Sequence, residues 1–463
     1  MNSELKTPHE SFCEAKSAER LKFLFLAITF FFVIGAYTII RDLKNSVFVG
    51  LIGKDYLPYA RLMFPFMLIP AVLLYSKIVD KVQRYYLLSI YSLFYAIVCL
   101  VFAFFIGHPT IGVGNTDQSA YRLFGWLFYF FVEGFSPFVL SVFWAFLNSI
   151  STPDGAKKNY GMVVSASKIG GMCTAGLAWA LFSFSSFPIL GHVSDVFKLR
   201  FMLFITSAFL FAVPVLTVFL MKMVPGRYLH GYEAAYKVEK KRAKAGKSQT
   251  GIFAGLKMLI KYPYVLGIFS TLFFYEILNT ITSYLRVVIA QKAGKSIAGT
   301  SGVLFKWVFI MHCIGLVISL FGTTSLLRKF GTRYCVVLIP VLMGVVLLGF
   351  VLFPGYELVV MSAYTITKAI HYAFSKPVTE SLYIPTLKEI KFKSKSWIDA
   401  FGSKFAKWSG SVFNVFAVNM PYMAMSLYSF AFAAIIGLWF VAALFLGRRF
   451  DEAVKSNEVI GEI

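Results

Sequence analysis

The chain is short of charge, of acid and of cysteine. Only 14% of its 463 residues are charged, where a soluble globular domain carries about 25%. So few charges do not clothe a water-exposed surface of this size, and a soluble protein is excluded. Acidic residues number 22 against 45 basic ones, for a formal net charge of +23. The five cysteines, Cys13, Cys99, Cys173, Cys313 and Cys335, show no metal-ligand spacing, and only Cys13 lies clearly outside an apolar run. They support neither a disulfide framework nor a zinc site. The six histidines form no H-E-x-x-H set. Gly246-Lys247-Ser248 and Gly294-Lys295-Ser296 mimic the end of a phosphate loop. The first glycine of such a loop is replaced by Lys241 in one and Ile289 in the other, so both are decoys. With no ATPase engine and no nucleophile–base constellation, the expectation is a non-enzyme without cofactor or metal.

What the chain has is apolar length. It is 58% hydrophobic and 18% aromatic, with a mean hydropathy of +0.72. Runs of about 20 apolar residues cross a bilayer as helices. About twelve such runs are expected near 21–41, 58–79, 85–107, 122–150, 160–184, 201–223, 264–290, 302–325, 334–353, 358–375, 401–424 and 427–447. The first is too long for a secretory signal and lacks a small-residue cleavage site. The tenth and eleventh are the least clean, because Lys368, Lys404 and Lys407 interrupt them.

Basic residues set the expected orientation. Lys77, Lys81 and Arg84, then Lys157 and Lys158, then Arg328, Lys329 and Arg333, then Lys388, Lys391, Lys393 and Lys395 fall in alternate loops. The stretches Gly107 to Tyr121 and Asn419 to Ser426 contain no Lys or Arg. Both termini are therefore expected in the cytosol. The longest polar stretch, with Lys237, Lys240, Lys241, Arg242, Lys244 and Lys247, divides the runs six and six. The expected organisation is a cytosolic segment 1–20, a six-helix half 21–223, a basic cytosolic linker 224–263, a second six-helix half 264–447 and a cytosolic tail 448–463. The linker reads as a solvated positive-inside loop, not as a nucleic-acid surface.

A weak repeat relates the halves. Asp80-Lys81-Val82-Gln83-Arg84 follows the second run, and Arg328-Lys329-Phe330-Gly331-Thr332-Arg333 follows the eighth. Both resemble the short basic turn in each half of major-facilitator transporters. The expected fold is all-α and integral to the membrane, with about twelve helices in two halves suited to alternating access. In the fifth run Ser167, Gly171 and Ala175 recur every four residues, a stripe that permits close helix contact.

Ionisable residues inside apolar runs are functional candidates, because a charge in hydrocarbon is costly. They are Arg41, Asp42 and Lys44 near the end of the first run; Glu133 in the fourth; Lys168 in the fifth; Glu276 and Arg286 in the seventh; Lys306 in the eighth; Lys368 in the tenth; and Lys404 and Lys407 in the eleventh. Arg286 and Lys306 are placed to snorkel to an interface; Glu133 lies nearer a span centre. Cations outnumber anions, which favours an anionic substrate. Arg and Lys are the usual partners of phosphate oxygens.

Three motif blocks then resemble one family. Tyr37-Thr38-Ile39-Ile40-Arg41-Asp42-Leu43-Lys44-Asn45-Ser46 is similar to the first-helix motif Y-T-I-L-R-D-x-K-D-[ST] of the plastid and bacterial-type ATP/ADP translocases. Val139-Leu140-Ser141-Val142-Phe143-Trp144-Ala145-Phe146-Leu147-Asn148, followed by Ala156-Lys157, resembles V-x-S-x-x-F-W-x-F-A-N and A-K-R-F-Y. Tyr383-Ile384-Pro385, Lys393-Ser394-Lys395-Ser396-Trp397-Ile398-Asp399, Gly402-Ser403-Lys404 and Ser409-Gly410 resemble its Y-I-P…K-G-K-A-A-I-D-x-x-G-[SA]-[RK]…G-G. The resemblance spans about residues 20 to 450, with the blocks in order. It implies a nucleotide transporter, ATP/ADP antiport across a cytoplasmic inner membrane, and a nucleotide and the lipid bilayer as partners, in a monomer. It also implies that Lys44 and Glu133 handle the nucleotide.

The chain departs from the family in three places. Ser283 stands where the seventh helix carries glutamate, Thr379 where P-x-K-E carries lysine, and Ala166-Ser167-Lys168 where a glycine-alanine-asparagine stretch is expected. Proton-coupled or exchange transport of another nucleotide or anionic metabolite is therefore the alternative. Charge and resemblance together make Arg41, Lys44, Glu133, Asn148, Lys168, Glu276, Arg286, Glu380 and Lys404 the candidate substrate-binding residues.

Overall fold

The computed structural model describes residues 8–79, 84–151, 153–183, 193–225, 228–229, 257, 259–318, 323–353, 356–386 and 394–461. Asp80 to Gln83, the basic cluster Lys237 to Lys247, the Gly246-Lys247-Ser248 decoy, and Lys388, Lys391 and Lys393 lie outside the described residues. The side chains of Cys13, Arg84, Lys157 and Lys158 do too.

Among the described residues there are twelve long helical rods and no strand, apart from one isolated parallel bridge between Thr386 and Ile460. In chain order they are α1 (Pro8–Leu51), α2 (Leu57–Val79), α3 (Arg84–Phe105), α4 (Leu123–Ile150), α5 (Pro153–Ser183), α6 (Asp195–Met223), α7 (Pro263–Gly294), α8 (Ile297–Val317), α9 (Thr323–Leu352), α10 (residues 357–381), α11 (residues 395–419) and α12 (Ala424–Lys455). Eight are long and apolar enough to cross a membrane by length and composition alone. Lys168 lowers the hydropathy of α5, while α10 and α11 are divided by widened turns and carry lysines.

The first helix corrects the sequence reading. The apolar run was expected to end near residue 41, yet α1 continues unbroken to Leu51. Arg41, Asp42 and Lys44 are thus interior to the helix, with Asp42 at 0% and Lys44 at 5% exposure. The helix survives because these charges are paired within the protein instead of facing lipid.

Two compact units partition the chain. One comprises residues 1–52, 66–247 and 296–309; the other comprises 53–65, 248–295 and 310–463. In the first, α1 packs on α4, α5 and α6, and α3 packs on α4 and α6. In the second, α7 packs on α10, α11 and α12, and α9 packs on α10 and α12. These contacts, among five helices of each set, are the same once six is added to the helix number. The repeat that was faint in the basic turns is therefore plain in the packing.

The packing follows from side-chain size. In the first unit α1 and α5 approach closely through the small-residue stripe. Ser167, Gly170, Gly171, Thr174, Ala175 and Ala178 are all buried. A Cβ on Gly170 would stand 2.4 Å from the carbonyl oxygen of Phe31. The buried ammonium of Lys22 donates to the carbonyl of Ile150 at 3.0 Å. It thereby satisfies an orphan carbonyl at the C-terminal end of α4, where a cation is also favoured by the helix dipole. In the second unit an apolar core runs through Tyr264, Ile281, Met343, Phe350, Phe374 and Trp439. Large apolar side chains such as Phe66, Phe104 and Phe430 remain well exposed, as a lipid solvent allows.

The basic turn Arg328 to Arg333 breaks α9 at Gly331, whose φ of 73° suits glycine best. Arg333 then pairs with Asp451 of α12 at 2.9 Å.

Gly170 gives the clearest test of the α1–α5 contact. Gly170→Ala, which forces the Phe31 backbone to shift, should cost about 1–3 kcal/mol by overpacking. Gly161→Ala, with nothing within 4 Å of its added Cβ, should be neutral or stabilising by up to about 1 kcal/mol from helix propensity. Thermal unfolding of the purified variants in detergent reads both; equal stability would remove the close contact.

Candidate functional site

In the first unit the charges of α1 meet α4. The Lys44 ammonium pairs with the Glu133 carboxylate. The same ammonium lies 4.6 Å from the centre of the Tyr129 ring, one helical turn before Glu133. Three residues upstream, Arg41 pairs with Asp42 at 3.1 Å and lies 5.6 Å from the Tyr37 ring. Tyr37 in turn stacks on Phe135, with ring centres 5.5 Å apart and planes 11° from parallel. The side chain of Lys44 is 6% exposed and that of Glu133 31%. The lysine therefore needs its partner, whereas the carboxylate keeps an open side.

Just beyond Glu133, α4 widens. Ser136–Leu140 form a π-helical turn, in which the Ser141 N–H donates to the carbonyl of Ser136. Pro137 lies within it, and a proline cannot donate to the ordinary ladder. Tyr91 of α3 stacks on Phe138 of this turn at 5.6 Å. Such turns recur at functional sites because they re-aim side chains.

The second unit holds two clusters. Glu276 of α7 pairs with Lys407 at 3.6 Å and accepts from Ser403 at 3.4 Å and from Asn279 at 3.3 Å. Farther along α7, the Arg286 guanidinium lies 4.4 Å from the centre of the Tyr364 ring of α10. Lys368, one turn on, donates to the Tyr364 hydroxyl at 2.7 Å. A π-helical turn follows at His371–Ser375, and Tyr275 stacks face to face on His371. A third widened turn, Ile398–Gly402, precedes Lys404 in α11.

The nine candidates are thus unequally gathered. Arg41, Lys44 and Glu133 share one cluster; Glu276 and Arg286 lie in two clusters of the second unit. Arg286 was placed to snorkel but is 1% exposed, because Tyr364 and its neighbours enclose it. Asn148 is exposed at the far end of α4, where its side-chain oxygen accepts from Tyr160 at 2.5 Å. Glu380 is exposed and paired with Lys395. Lys168 on α5 is half-buried. Lys404 lies 5.8 Å from the Phe64 ring. Lys306 is exposed, as snorkelling requires. Among the described residues no group of three or more His, Cys, Asp or Glu is arranged to hold a metal.

Sequence reasoning passed over Tyr129, Tyr364, His371 and Arg61. The last donates to the Thr280 carbonyl at 3.0 Å and to the Ser283 hydroxyl at 3.2 Å. The departure at Ser283 therefore faces a guanidinium. Tyr129 and Tyr364 did carry a signal: each precedes an intramembrane charge by four residues, which on a helix places the two on one face.

Comparison with known proteins bears on the family and the fold. A family model described as TLC ATP/ADP transporter matches residues 115–450. ADP,ATP carrier protein 4 of Rickettsia bellii (strain RML369-C) is 22% identical, over 96% of this chain and 93% of its own. ADP,ATP carrier protein 1 of Chlamydia muridarum (strain MoPn / Nigg) is 23% identical, over 95% and 90%. A D-xylose–proton symporter of solved structure superposes with a TM-score of 0.62 at 14% identity, covering 92% of this chain and 96% of that one. A bacterial homologue of the iron transporter ferroportin, in an inward-facing state, gives 0.60 at 12%, covering 92% and 98%. At these identities the two structures speak for the fold alone, which is all-α and major-facilitator-like. With its matched region covering most of the sequence, the chain belongs to the TLC ATP/ADP transporter family.

Proposed function

We propose that the chain exchanges ATP for ADP across a cytoplasmic inner membrane by alternating access, as a monomer with both termini in the cytosol. The family membership supports the substrate. The observation that carries the chemistry is the buried Lys44, held by the partly open Glu133 and by the Tyr129 ring. A phosphate reaching Lys44 takes the place of the Glu133 carboxylate, since both offer the same kind of charged oxygen. The lysine then never stands desolvated and unpaired, whether the transporter is empty or loaded. Glu133, released, tolerates the change because one side of it is open.

One observation favours a second reading. Ser283 occupies the place where the family resemblance expects a carboxylate, and its neighbour is Arg61. A changed charge there is compatible with proton-coupled import of another nucleotide or anionic metabolite. Competition for labelled ATP uptake into intact cells expressing the protein separates the readings. Unlabelled ATP and ADP should compete while adenosine does not. Equal inhibition by adenosine, or response only to an unrelated organic anion, would contradict the proposal.

Lys44→Ala should weaken nucleotide binding by about 10–150-fold, the loss of one charge-assisted hydrogen bond, with the protein still inserted. Lys44→Arg should keep part of it, since the charge persists in altered geometry. Glu133→Gln should impair turnover more than binding. Binding and exchange measured separately in proteoliposomes decide this; wild-type exchange by both Lys44→Ala and Glu133→Gln would reduce the pair to a helix fastener.

The orientation is open to a direct check. Single cysteines placed near residues 115 and 244 should react with a membrane-impermeant reagent from opposite faces, residue 244 from the cytosol. Labelling from the same face would contradict the proposed topology.

A further inference from the structure

The C-terminal end of α12 carries a half-open groove that the transport reading does not use. One stripe of the helix lines it: Val441, Leu444, Phe445, Arg448, Arg449 and Glu452. Their spacing of three to four residues puts them on one face. The groove holds about 370 Å3, within the roughly 300–1,000 Å3 of small-ligand sites. Its chemistry changes along its length. Val441 is 64% and Phe445 48% exposed, in a helix long and apolar enough to cross a membrane. One turn later the lining is charged. The groove therefore runs across the level at which the helix leaves hydrocarbon for headgroups.

At that level the neighbouring acids are engaged. Asp451 pairs with Arg333 and with Lys455, each at 2.9 Å. Arg449 pairs with Glu458 at 2.5 Å and with Glu452 at 3.7 Å. Arg448 is exposed, and among the described residues no carboxylate pairs with it. Glu452 lies in the lining but is set against Arg449, which leaves Arg448 to give the groove its sign.

An occupant must match both ends. A free anion gains nothing from Val441 and Phe445, and a wholly apolar chain gains nothing from Arg448. An anionic phospholipid offers an acyl chain for one end and a phosphodiester for the other. A guanidinium is well suited to phosphate oxygens, and basic pockets at helix ends suit anionic headgroups. We propose that this groove binds an anionic phospholipid, with its acyl chain along Val441 and Phe445 and its phosphodiester on Arg448. The site rests on the membrane fold and is independent of the nucleotide reading.

The test uses full-length protein in detergent, with native mass spectrometry giving Kd for phosphatidylglycerol and for phosphatidylcholine. Wild type should bind phosphatidylglycerol more tightly. Arg448→Gln should weaken phosphatidylglycerol about fivefold, the loss of one arginine at a headgroup, and leave phosphatidylcholine unchanged. Arg448→Lys should keep most of the preference, since the charge survives. Phe445→Ala, which removes an apolar wall, should weaken both lipids. Lys222→Gln removes an exposed cation from the last turn of α6; it is the control and should bind as wild type does. Wild type with equal affinity for the two lipids would overturn the site. So would wild-type Kd in Arg448→Gln, or an equal loss in Arg448→Gln and Lys222→Gln. Displacement of phosphatidylglycerol by inorganic phosphate would make it a free-anion site and overturn the lipid. A dimer that Phe445→Ala dissociates would seat a second copy there and overturn it too. If Arg448→Gln does not fold, the wild-type preference and Phe445→Ala decide, and wild-type Kd for both lipids in Phe445→Ala overturns the site.

Discussion

A charged lysine buried within an apolar helix is costly unless an anion is set against it. Lys44 meets that condition through Glu133, and much of the first unit is arranged so that it does. The helix that carries Lys44 passes through this region without a break. The close approach of α1 to α5 holds that helix against its neighbours through a stripe of glycine, serine and alanine. The helix that carries Glu133 widens one turn later. The Tyr129 ring adds a second favourable contact, of about 0.5–2 kcal/mol in a partly desolvated setting. Breaking a buried pair by removing one partner typically costs about 3–5 kcal/mol. On the proposed reading, an incoming phosphate avoids that penalty by substituting for the carboxylate.

This requirement links structure to exchange. If Lys44 changes partner from Glu133 to substrate and back, the empty carrier returns to its locked state unless another substrate takes the place. Transport in one direction is then coupled to transport in the other through the supply of anions to one lysine. The contacts of α7, α9, α10, α11 and α12 repeat those of α1, α3, α4, α5 and α6, but their charges do not. Lys368 stands at the position in α10 that corresponds to Glu133 in α4.

Much of this was legible in the sequence, for a physical reason. Charge is so costly in hydrocarbon that Arg41, Lys44, Glu133, Glu276 and Arg286 stand out in a chain that is 58% hydrophobic. The helices were legible from run length, and a close contact of α5 from its small residues, though not that α1 is its partner. The tyrosines were passed over among 51 Phe and 25 Tyr, although Tyr129 and Tyr364 each precede a charge by four residues. Nor were the widened turns legible: Pro137 hints at one, but His371–Ser375 contains no proline. The extent of α1 was misjudged because hydropathy reads charge as an end, although a paired charge continues a helix. Arg286 was misjudged likewise, since snorkelling and burial against a tyrosine look identical without the neighbour. Asn148 and Glu380 entered through motif likeness, and they lie apart from the buried clusters.

Obligatory exchange is the central claim, and counter-transport tests it most directly. Purified protein is reconstituted into liposomes, half loaded with unlabelled ADP and half empty, and labelled ATP is supplied outside. The account predicts rapid uptake into loaded liposomes, near-background uptake into empty ones, and no change when the proton gradient is collapsed. Equal uptake into empty liposomes, or uptake that disappears with the proton gradient, would contradict it.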